Sequence, residues 1–332
     1  MSSKLALAWK SRGKMKKILV GVIAITAILA TSALASSWNW KRIVVARLET
    51  GSQVIETARG RIEYVTYGDG QAVLISHGLP GGYDQGLILA KLVGSQEFKF
   101  ISVSRPGYLR TPLDVGRTYE EQADAFAALL DALNIQQAAI IGVSSGGPAA
   151  LQFALRHPGR CWGLVMMAAM SLRPQGSPPP VGSWYGKLAT SDLAMWGLDI
   201  LVTHQLGLFL SLIMPDEAQR ARLLDNPENL ELFVELVQTA YPYSLRSEGA
   251  ANDIEQHSAL PRYPLERIDA PTLALYGTAD FQAPFTNAEL LANTIPDIEL
   301  VTIKGGNHSF PITDRDVVWP KVYDFLSNHA PK

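Results

Sequence analysis

The sequence predicts an α/β fold in which a mostly parallel, eight-stranded sheet lies between layers of helices. Three observations lead to this fold class. Short and almost continuously apolar runs recur along the chain, and such runs are typical of strands that are buried on both faces. Segments with helical spacing separate several of these runs. Apolar residues make up 47% of the 332 residues, which is ample for one large core.

Eight segments are predicted as strands, and the first two of them form a hairpin. In chain order the predicted strands span residues 53–57, 61–67, 72–76, 98–103, 138–143, 162–168, 272–276 and 298–303. Helices are predicted over residues 119–133, 148–155 and 317–328. Alternation of strands and helices indicates a parallel sheet that is covered on both faces.

The N-terminal segment is predicted to direct export. Residues 1–17 carry six basic residues and no acidic residue, residues 18–30 are almost entirely apolar, and Ala33, Leu34 and Ala35 offer a cleavage site. This pattern is typical of a secretory signal peptide. Extending the apolar run through Ala35 makes a marginal membrane anchor. We therefore expect residues 1–35 to be a signal peptide or an uncleaved signal anchor, and the protein to be periplasmic, secreted or membrane-anchored.

Residues 171–264 interrupt the alternation of strands and helices. The segment begins with the Pro-rich residues 174–180, and helical patterns follow at residues 193–214, 217–225 and 229–241. No strand-like run occurs in it. We interpret residues 171–264 as a helical lid inserted into a core that consists of residues 53–170 and 265–332.

Charge and cysteine content exclude some classes of protein. The net charge of −2 gives no reason to expect a nucleic acid as a partner. Cys161 is the one cysteine of the chain, so an intramolecular disulfide is excluded. Its apolar neighbours indicate a buried side chain rather than a reactive thiol.

Ser144 is predicted to be a nucleophile because of the segment in which it lies. It occupies the centre of Gly-Val-Ser-Ser-Gly, between a predicted strand and a predicted helix. A sharp turn at this point exposes the serine Oγ, and Gly142 and Gly146 avoid the clash that a Cβ would cause. The strand–turn–helix context is the condition under which this motif is informative.

Asp280 and His308 are predicted to complete a catalytic triad with Ser144. A serine hydroxyl needs a base to accept its proton, and the base needs a third group to orient it. Asp280 follows the strand at 272–276 and His308 follows the strand at 298–303, so both side chains are expected at the same sheet edge as Ser144. The backbone N–H of Ser145 and one from the loop at residues 77–82 are expected to form an oxyanion hole.

These motifs together resemble those of the α/β-hydrolase superfamily, in particular its lidded members with a His-Gly-x-Pro loop. The resemblance covers residues 53–330 and includes Gly78, and it implies that Leu79 supplies the second oxyanion N–H. Haloalkane dehalogenases and epoxide hydrolases share the loop but use an aspartate as nucleophile, whereas this chain has Ser144. Proline iminopeptidases are also similar.

The expected activity is that of a serine hydrolase that cleaves carboxylic esters, without a metal or an organic cofactor. Amide hydrolysis, C–C hydrolysis and acyl transfer use the same groups and stay open, as does a non-catalytic binding module on the same fold. Trp184, Tyr185, Trp196 and residues 206–214 are apolar. They are expected either to pack the lid or to line a pocket for an apolar ester.

Overall fold

The computed structural model describes residues 2–173, 190–214 and 216–332, and it describes side chains from Lys16 onwards. Within these ranges every predicted strand is present. The predicted linker at residues 174–180, together with Trp184 and Tyr185, lies outside the described residues.

Eight strands form one sheet. Their bounds are β1 Gln53–Thr57, β2 Gly60–Tyr67, β3 Gln71–Ser76, β4 Phe98–Val103, β5 Ala138–Val143, β6 Cys161–Met167, β7 Thr272–Gly277 and β8 Ile298–Ile303. The order across the sheet is β1-β2-β4-β3-β5-β6-β7-β8. Strand β2 is antiparallel to β1 and β4, and the other neighbours are parallel. The mostly parallel eight-stranded sheet is thus confirmed.

The helices in the described part of the chain are α1 Ser2–Thr50, α2 Tyr83–Leu92, α3 Tyr119–Ala132, α4 Gly147–Arg156, α5 Asp192–His204, α6 Leu206–Ile213, α7 Glu217–Leu224, α8 Pro227–Gln238, α9 Ser247–Ser258, α10 Thr286–Thr294, α11 Phe310–Thr313 and α12 Arg315–His329. Residues 193–214 were predicted as one helix, but the chain bends by 115° between α5 and α6. The prediction missed α2, α9, α10 and the short helix α11.

The sheet separates two apolar cores. Leu74 of β3 packs in the core beneath α3, α4 and α10, whereas its neighbours Val73 and Ile75 pack in the core beneath α2 and α12. Successive residues of a strand point to opposite faces, which is why the buried strands have almost no polar positions. This double burial fixes the positions of the loops at the strand ends.

Helices α5 to α9, which we call the inserted helices, lie between β6 and β7 in the chain. Two buried arginines join them to the core. Arg105, in the loop after β4, forms a bidentate ion pair with Asp253 of α9 at 2.5 and 2.8 Å. Arg246, just before α9, pairs with Asp84 of α2 at 2.7 and 3.1 Å. Neither guanidinium is exposed, so both pairs fix the inserted helices against the sheet.

Helix α1 consists of an exposed half and a docked half. Large apolar side chains between Ile18 and Leu34 are more than half exposed, and the segment is long and apolar enough to cross a membrane. Further along, Ser37, Val44 and Leu48 are buried against the rest of the protein. Ala33 to Ala35, the predicted cleavage site, lies inside the continuous helix, which ends at Thr50.

Candidate active site

Ser144 occupies the sharp turn between β5 and α4. Its φ of 50° lies in the left-handed region, which is uncommon for a residue with a Cβ and is often found at functional turns. A Cβ on Gly142 would lie 2.7 Å from the Ala150 Cβ, and one on Gly146 would lie 2.6 Å from the His77 carbonyl oxygen. The turn therefore depends on glycine at both positions, as the motif predicts.

A series of hydrogen bonds joins Ser144, His308 and Asp280. The His308 Nε2 lies 3.1 Å from the Ser144 Oγ, and its Nδ1 lies 2.7 Å from the Asp280 Oδ2. With the ring proton on Nδ1, the imidazole donates to the carboxylate and offers the Nε2 lone pair to the serine O–H. The structure thus brings together three side chains that the sequence analysis selected from distant loops.

The Asp280 carboxylate is held by the backbone that follows it. Its Oδ1 accepts hydrogen bonds from the Gln282 N–H at 2.9 Å and the Ala283 N–H at 3.0 Å. Asp280 is buried, with 5% of its surface exposed. One carboxylate oxygen is therefore fixed by the main chain, and the other is left to orient His308.

The loop after β3 carries the residues predicted for the oxyanion hole. The Gly78 N–H donates to the Gln85 Oε1 at 2.8 Å, and its carbonyl accepts from the Gly81 N–H at 2.7 Å. No acceptor from the described residues binds the Leu79 N–H. Ser145, which directly follows Ser144, is buried. The structure leaves the Leu79 donor available beside Ser144, while Gln85 holds the loop in place.

His77 has a structural environment and not that of a base. Its ring is fully buried, Nδ1 donates to the Gly78 carbonyl at 2.8 Å, and Nε2 accepts from the Arg105 N–H at 3.0 Å. Burial, and then the Arg105 charge, lower the pKa of His77 well below its usual value. The ring is therefore neutral, and it ties the Gly78 loop to the loop after β4.

A cavity of about 320 Å³ opens beside Ser144 and His308. Its lining is mostly apolar, with contributions from the sheet edge, from α2 and from the C-terminal end of α8. The described lining residues are Gly78, Leu79, Pro80, Gln85, Leu89, Val143, Ser144, Ala168, Leu236, Val237, Thr239, Ala240, Gln282, His308, Ser309, Pro311 and Ile312. The size and polarity suit a small apolar group.

The part of the inserted helices that reaches this cavity differs from the expected one. Trp196 and residues 206–214 were candidates for a pocket, but neither contributes to the described lining. Phe209, Leu210 and Met214 instead pack against Phe233 of α8. Leu236 and Val237, near the C-terminal end of α8, line the cavity and also pack against this cluster. Their apolar spacing in the sequence predicts a helix but not which face meets the site.

Among the described residues, no group of three or more His, Cys, Asp and Glu side chains is arranged to bind a metal ion. Another depression, of about 770 Å³, lies near α12 and the end of α2 and contains none of the predicted site residues. The reactive groups are therefore concentrated at the carboxyl ends of β5, β7 and β8, where ligands collect in open parallel sheets.

Comparisons with known proteins agree with this architecture. The sequence profile of the α/β hydrolase fold family matches residues 71–314. An α/β hydrolase fold protein from Nakamurella multipartita is 32% identical, with a TM-score of 0.72, over 83% of this chain and 98% of that protein. An uncharacterized hydrolase of Bacillus subtilis is 27% identical over 67% of this chain and 78% of its own length. A putative carbamate hydrolase of Pantoea ananatis is 27% identical over 79% of this chain and 90% of its own length. The chain therefore belongs to the α/β-hydrolase fold family.

Proposed function

We propose that the protein is a serine hydrolase that cleaves neutral, apolar carboxylic esters, with Ser144, His308 and Asp280 as its catalytic triad. The observation that carries the proposal is the hydrogen-bonded series from Ser144 to Asp280 at the wall of an apolar cavity. A binding module would have no need of all three groups in this arrangement, so their geometry favours catalysis over the non-catalytic alternative.

In the proposed reaction the Ser144 Oγ attacks the ester carbonyl carbon while the His308 Nε2 takes its proton. The N–H groups of Leu79 and Ser145 bind the oxyanion that forms. Collapse of this intermediate breaks the bond to the alcohol oxygen, which receives the proton from His308. Water then repeats the sequence on the acyl-enzyme and releases the acid. Asp280 holds the imidazole orientation and stabilises the imidazolium in both halves.

The preference for a neutral ester rests on the composition of the cavity. Apart from His308, the described lining residues carry no ionisable side chain. A charged substrate would lose its hydration there without gaining a partner of opposite charge. Carbamate or amide hydrolysis, C–C hydrolysis and acyl transfer are the competing reactions, and a carbamate is suggested by the name of the Pantoea relative. Residues 171–264 act as a lid in this proposal, and α8 is the part that bounds the substrate.

The N-terminal helix is proposed to be an uncleaved signal anchor. Processing after Ala35 would divide a helix that is continuous to Thr50, and its second half is docked on the protein. The positive residues before Lys17 orient the N-terminus to the cytoplasm. The hydrolase domain therefore lies on the outer side of the membrane, attached to it through α1.

Labelling with a fluorophosphonate probe tests the catalytic proposal. The wild-type full chain is expected to react, and Ser144→Ala is expected not to react. Turnover of p-nitrophenyl esters of increasing acyl length, beside the matching anilides and carbamates, then tests the substrate class. Absence of labelling in folded wild-type protein contradicts the triad, and a flat chain-length profile contradicts the apolar acyl pocket.

A further inference from the structure

Beyond α1, large exposed apolar side chains are concentrated in α5 and α6. Leu193 and Ile200 of α5 are about two-fifths exposed, whereas Leu208, Leu212 and Ile213 of α6 are 54%, 66% and 46% exposed. Helix α6 carries no charged residue along its whole length. Clusters of this kind mark surfaces that contact a partner or a membrane. We call these five side chains the outer apolar face.

The apolar length of α1 indicates where the membrane surface would lie relative to this face. Residues 18–37 contain no charged side chain, and at about 1.5 Å per residue they are about 30 Å long, which matches the hydrocarbon thickness of a bilayer. Trp38, which is 64% exposed, and Trp40 follow directly. Tryptophan is enriched at the headgroup level, so the membrane surface falls near Trp38 and Trp40.

Direct contacts fix α5 at the same level. The Trp40 indole N–H donates to the Asp199 Oδ2 at 2.8 Å, and the Lys41 Nζ lies 2.5 Å from the Asp192 Oδ2. The Trp40 ring also contacts the Tyr241 ring edge-on, with the ring centres 5.7 Å apart. Ile200 follows Asp199 in α5, and α6 begins two residues after α5 ends. The outer apolar face thus begins beside the tryptophans that mark the membrane surface.

The inner side of α6 is fully engaged within the protein. Phe209 and Leu210 are buried in a cluster with Phe233, and Val237 of α8 packs against the same cluster. Val237 also lines the cavity beside Ser144. Since the inner side is packed, the exposed residues of α6 are free to face outward. Helices α5 and α6 together are apolar enough for a membrane segment, but the 115° bend suits a shallow insertion better than a crossing.

We propose that the outer apolar face inserts into the interface of the same bilayer that α1 crosses, so that the hydrolase domain contacts the membrane at a second place. This inference rests on the anchor role of α1 in the proposed function. The occupant of the face is lipid, since the headgroup level assigned from α1 coincides with the level of α5. The cavity wall formed by α8 then lies one helix away from the lipid, and esters dissolved in the membrane are the substrates nearest to it.

Single introduced cysteines in the full-length protein test this proposal. Leu212→Cys reports on the outer apolar face, Leu29→Cys on the proposed membrane-crossing part of α1, and Val54→Cys is the control. Val54 is exposed and follows the end of α1 at Thr50, roughly 20 Å beyond residue 37 along the helix axis. The native Cys161 is buried, and burial raises the pKa of its thiol to about 12, so an environment-sensitive fluorophore labels the introduced thiol.

The labelled proteins are reconstituted in phosphatidylcholine vesicles with and without brominated acyl chains. We expect bromine to quench the fluorophore at positions 29 and 212 but not at position 54. Quenching at position 29 alone contradicts membrane contact by the outer apolar face but still supports α1 as a membrane anchor. Absence of quenching at both 29 and 212 overturns the anchor as well. If the fluorophore at position 212 reports an apolar environment but bromine does not quench it, a second protein copy covers the face, and the proposal is contradicted. Fluorophosphonate labelling of every variant shows separately whether the catalytic site is active.

Discussion

The sheet edge and the inserted helices contribute to the same cavity but differ in how they are built. Strands β5 and β7, which precede Ser144 and Asp280, are almost completely buried, so packing on both faces fixes the positions of these two side chains. Strand β8, which precedes His308, is the edge strand and is partly exposed. Helices α5 and α6 bury one side and expose large apolar residues on the other. The comparison indicates that the strand ends position the proposed catalytic side chains, whereas the inserted helices contribute α8 to the cavity wall and expose an apolar face on α5 and α6.

Two buried ion pairs join the core to the inserted segment. In one pair the core supplies Arg105 and helix α9 supplies Asp253, and in the other the segment just before α9 supplies Arg246 and the core supplies Asp84. Tyr108 strengthens the first pair by donating to the Asp253 carboxylate at 2.6 Å. Buried ion pairs gain little net stability, because both charges lose their hydration. Their effect here is to fix the position of the inserted helices relative to the sheet edge.

The largest expected effect belongs to the sheet edge. Ser144→Ala removes the nucleophile and is expected to lower kcat for a p-nitrophenyl ester by about 10⁴-fold or more. His308→Ala is expected to lower it by a similar factor, because the two groups act as a unit. Ser211→Ala on α6, whose hydroxyl donates to the Leu208 carbonyl, is the matched control with unchanged kcat. Turnover within tenfold of wild type in either catalytic variant contradicts the mechanism.

Asp280→Asn is expected to lower kcat by roughly 10³- to 10⁴-fold with little change in KM. The amide oxygen can still accept the Gln282 and Ala283 N–H groups, but the amide nitrogen faces the His308 Nδ1 and favours the opposite tautomer. Steady-state kinetics measure the effect, and circular dichroism verifies the fold. A variant with near-normal kcat would mean that Asp280 does not orient His308.

The junction between the two regions is tested by Asp253→Ala. Removal of one partner leaves the Arg105 charge buried and unpaired, and we expect the free energy of unfolding to fall by about 3 to 5 kcal/mol. Urea titration of the protein in detergent micelles measures the change. Arg222→Ala, which breaks an exposed pair with Asp314 at 3.6 Å, is the control and should change stability by less than about 1 kcal/mol. Equal losses in both variants contradict the role assigned to the buried pair.

The smallest expected effect is the pH dependence that His77 introduces. Burial lowers the pKa of His77 in the folded protein, while its pKa in the unfolded chain is about 6.5. Below that pH the unfolded state binds a proton that the folded state does not bind, so stability falls as the pH falls from 6.5 toward the folded pKa. The slope is at most about 1.4 kcal/mol per pH unit.

His77→Gln is expected to reduce this slope, whereas His204→Gln at an exposed position is expected to leave it unchanged. Urea titrations at pH 5.0, 5.5, 6.0, 6.5 and 7.5 compare the slopes. A wild-type slope that survives His77→Gln undiminished would assign the pH dependence to other groups and would show that His77 does not stay neutral in the fold.

Local patterns in the sequence predict the strands well. Strand ends agree to within one residue. In the central strands β3, β5, β6 and β7 this agreement arises because runs buried on both faces admit few polar positions. Helix α9 was missed for the opposite reason: its inner face buries Asn252, Asp253 and His257, which a hydrophobic pattern scores as solvent-exposed. Helix α2 was missed because it follows a Gly-rich loop and contains Gly86, whose missing Cβ admits the Ser102 Oγ. Polar partners that lie far away in the sequence leave no local signal.

By itself the sequence determined the fold class and the strand order along the chain, and it selected Ser144, Asp280 and His308 as the candidate catalytic residues. Only the tertiary structure decided that α8 rather than α6 meets the cavity, that Gln85 holds the oxyanion loop, and that α1 docks beside α5. The physical reason is that periodicity records how much of an element is buried, whereas the identity of its partner depends on contacts such as Ser144–His308 across 164 residues. Such contacts exist only after the sheet has brought its strand ends together.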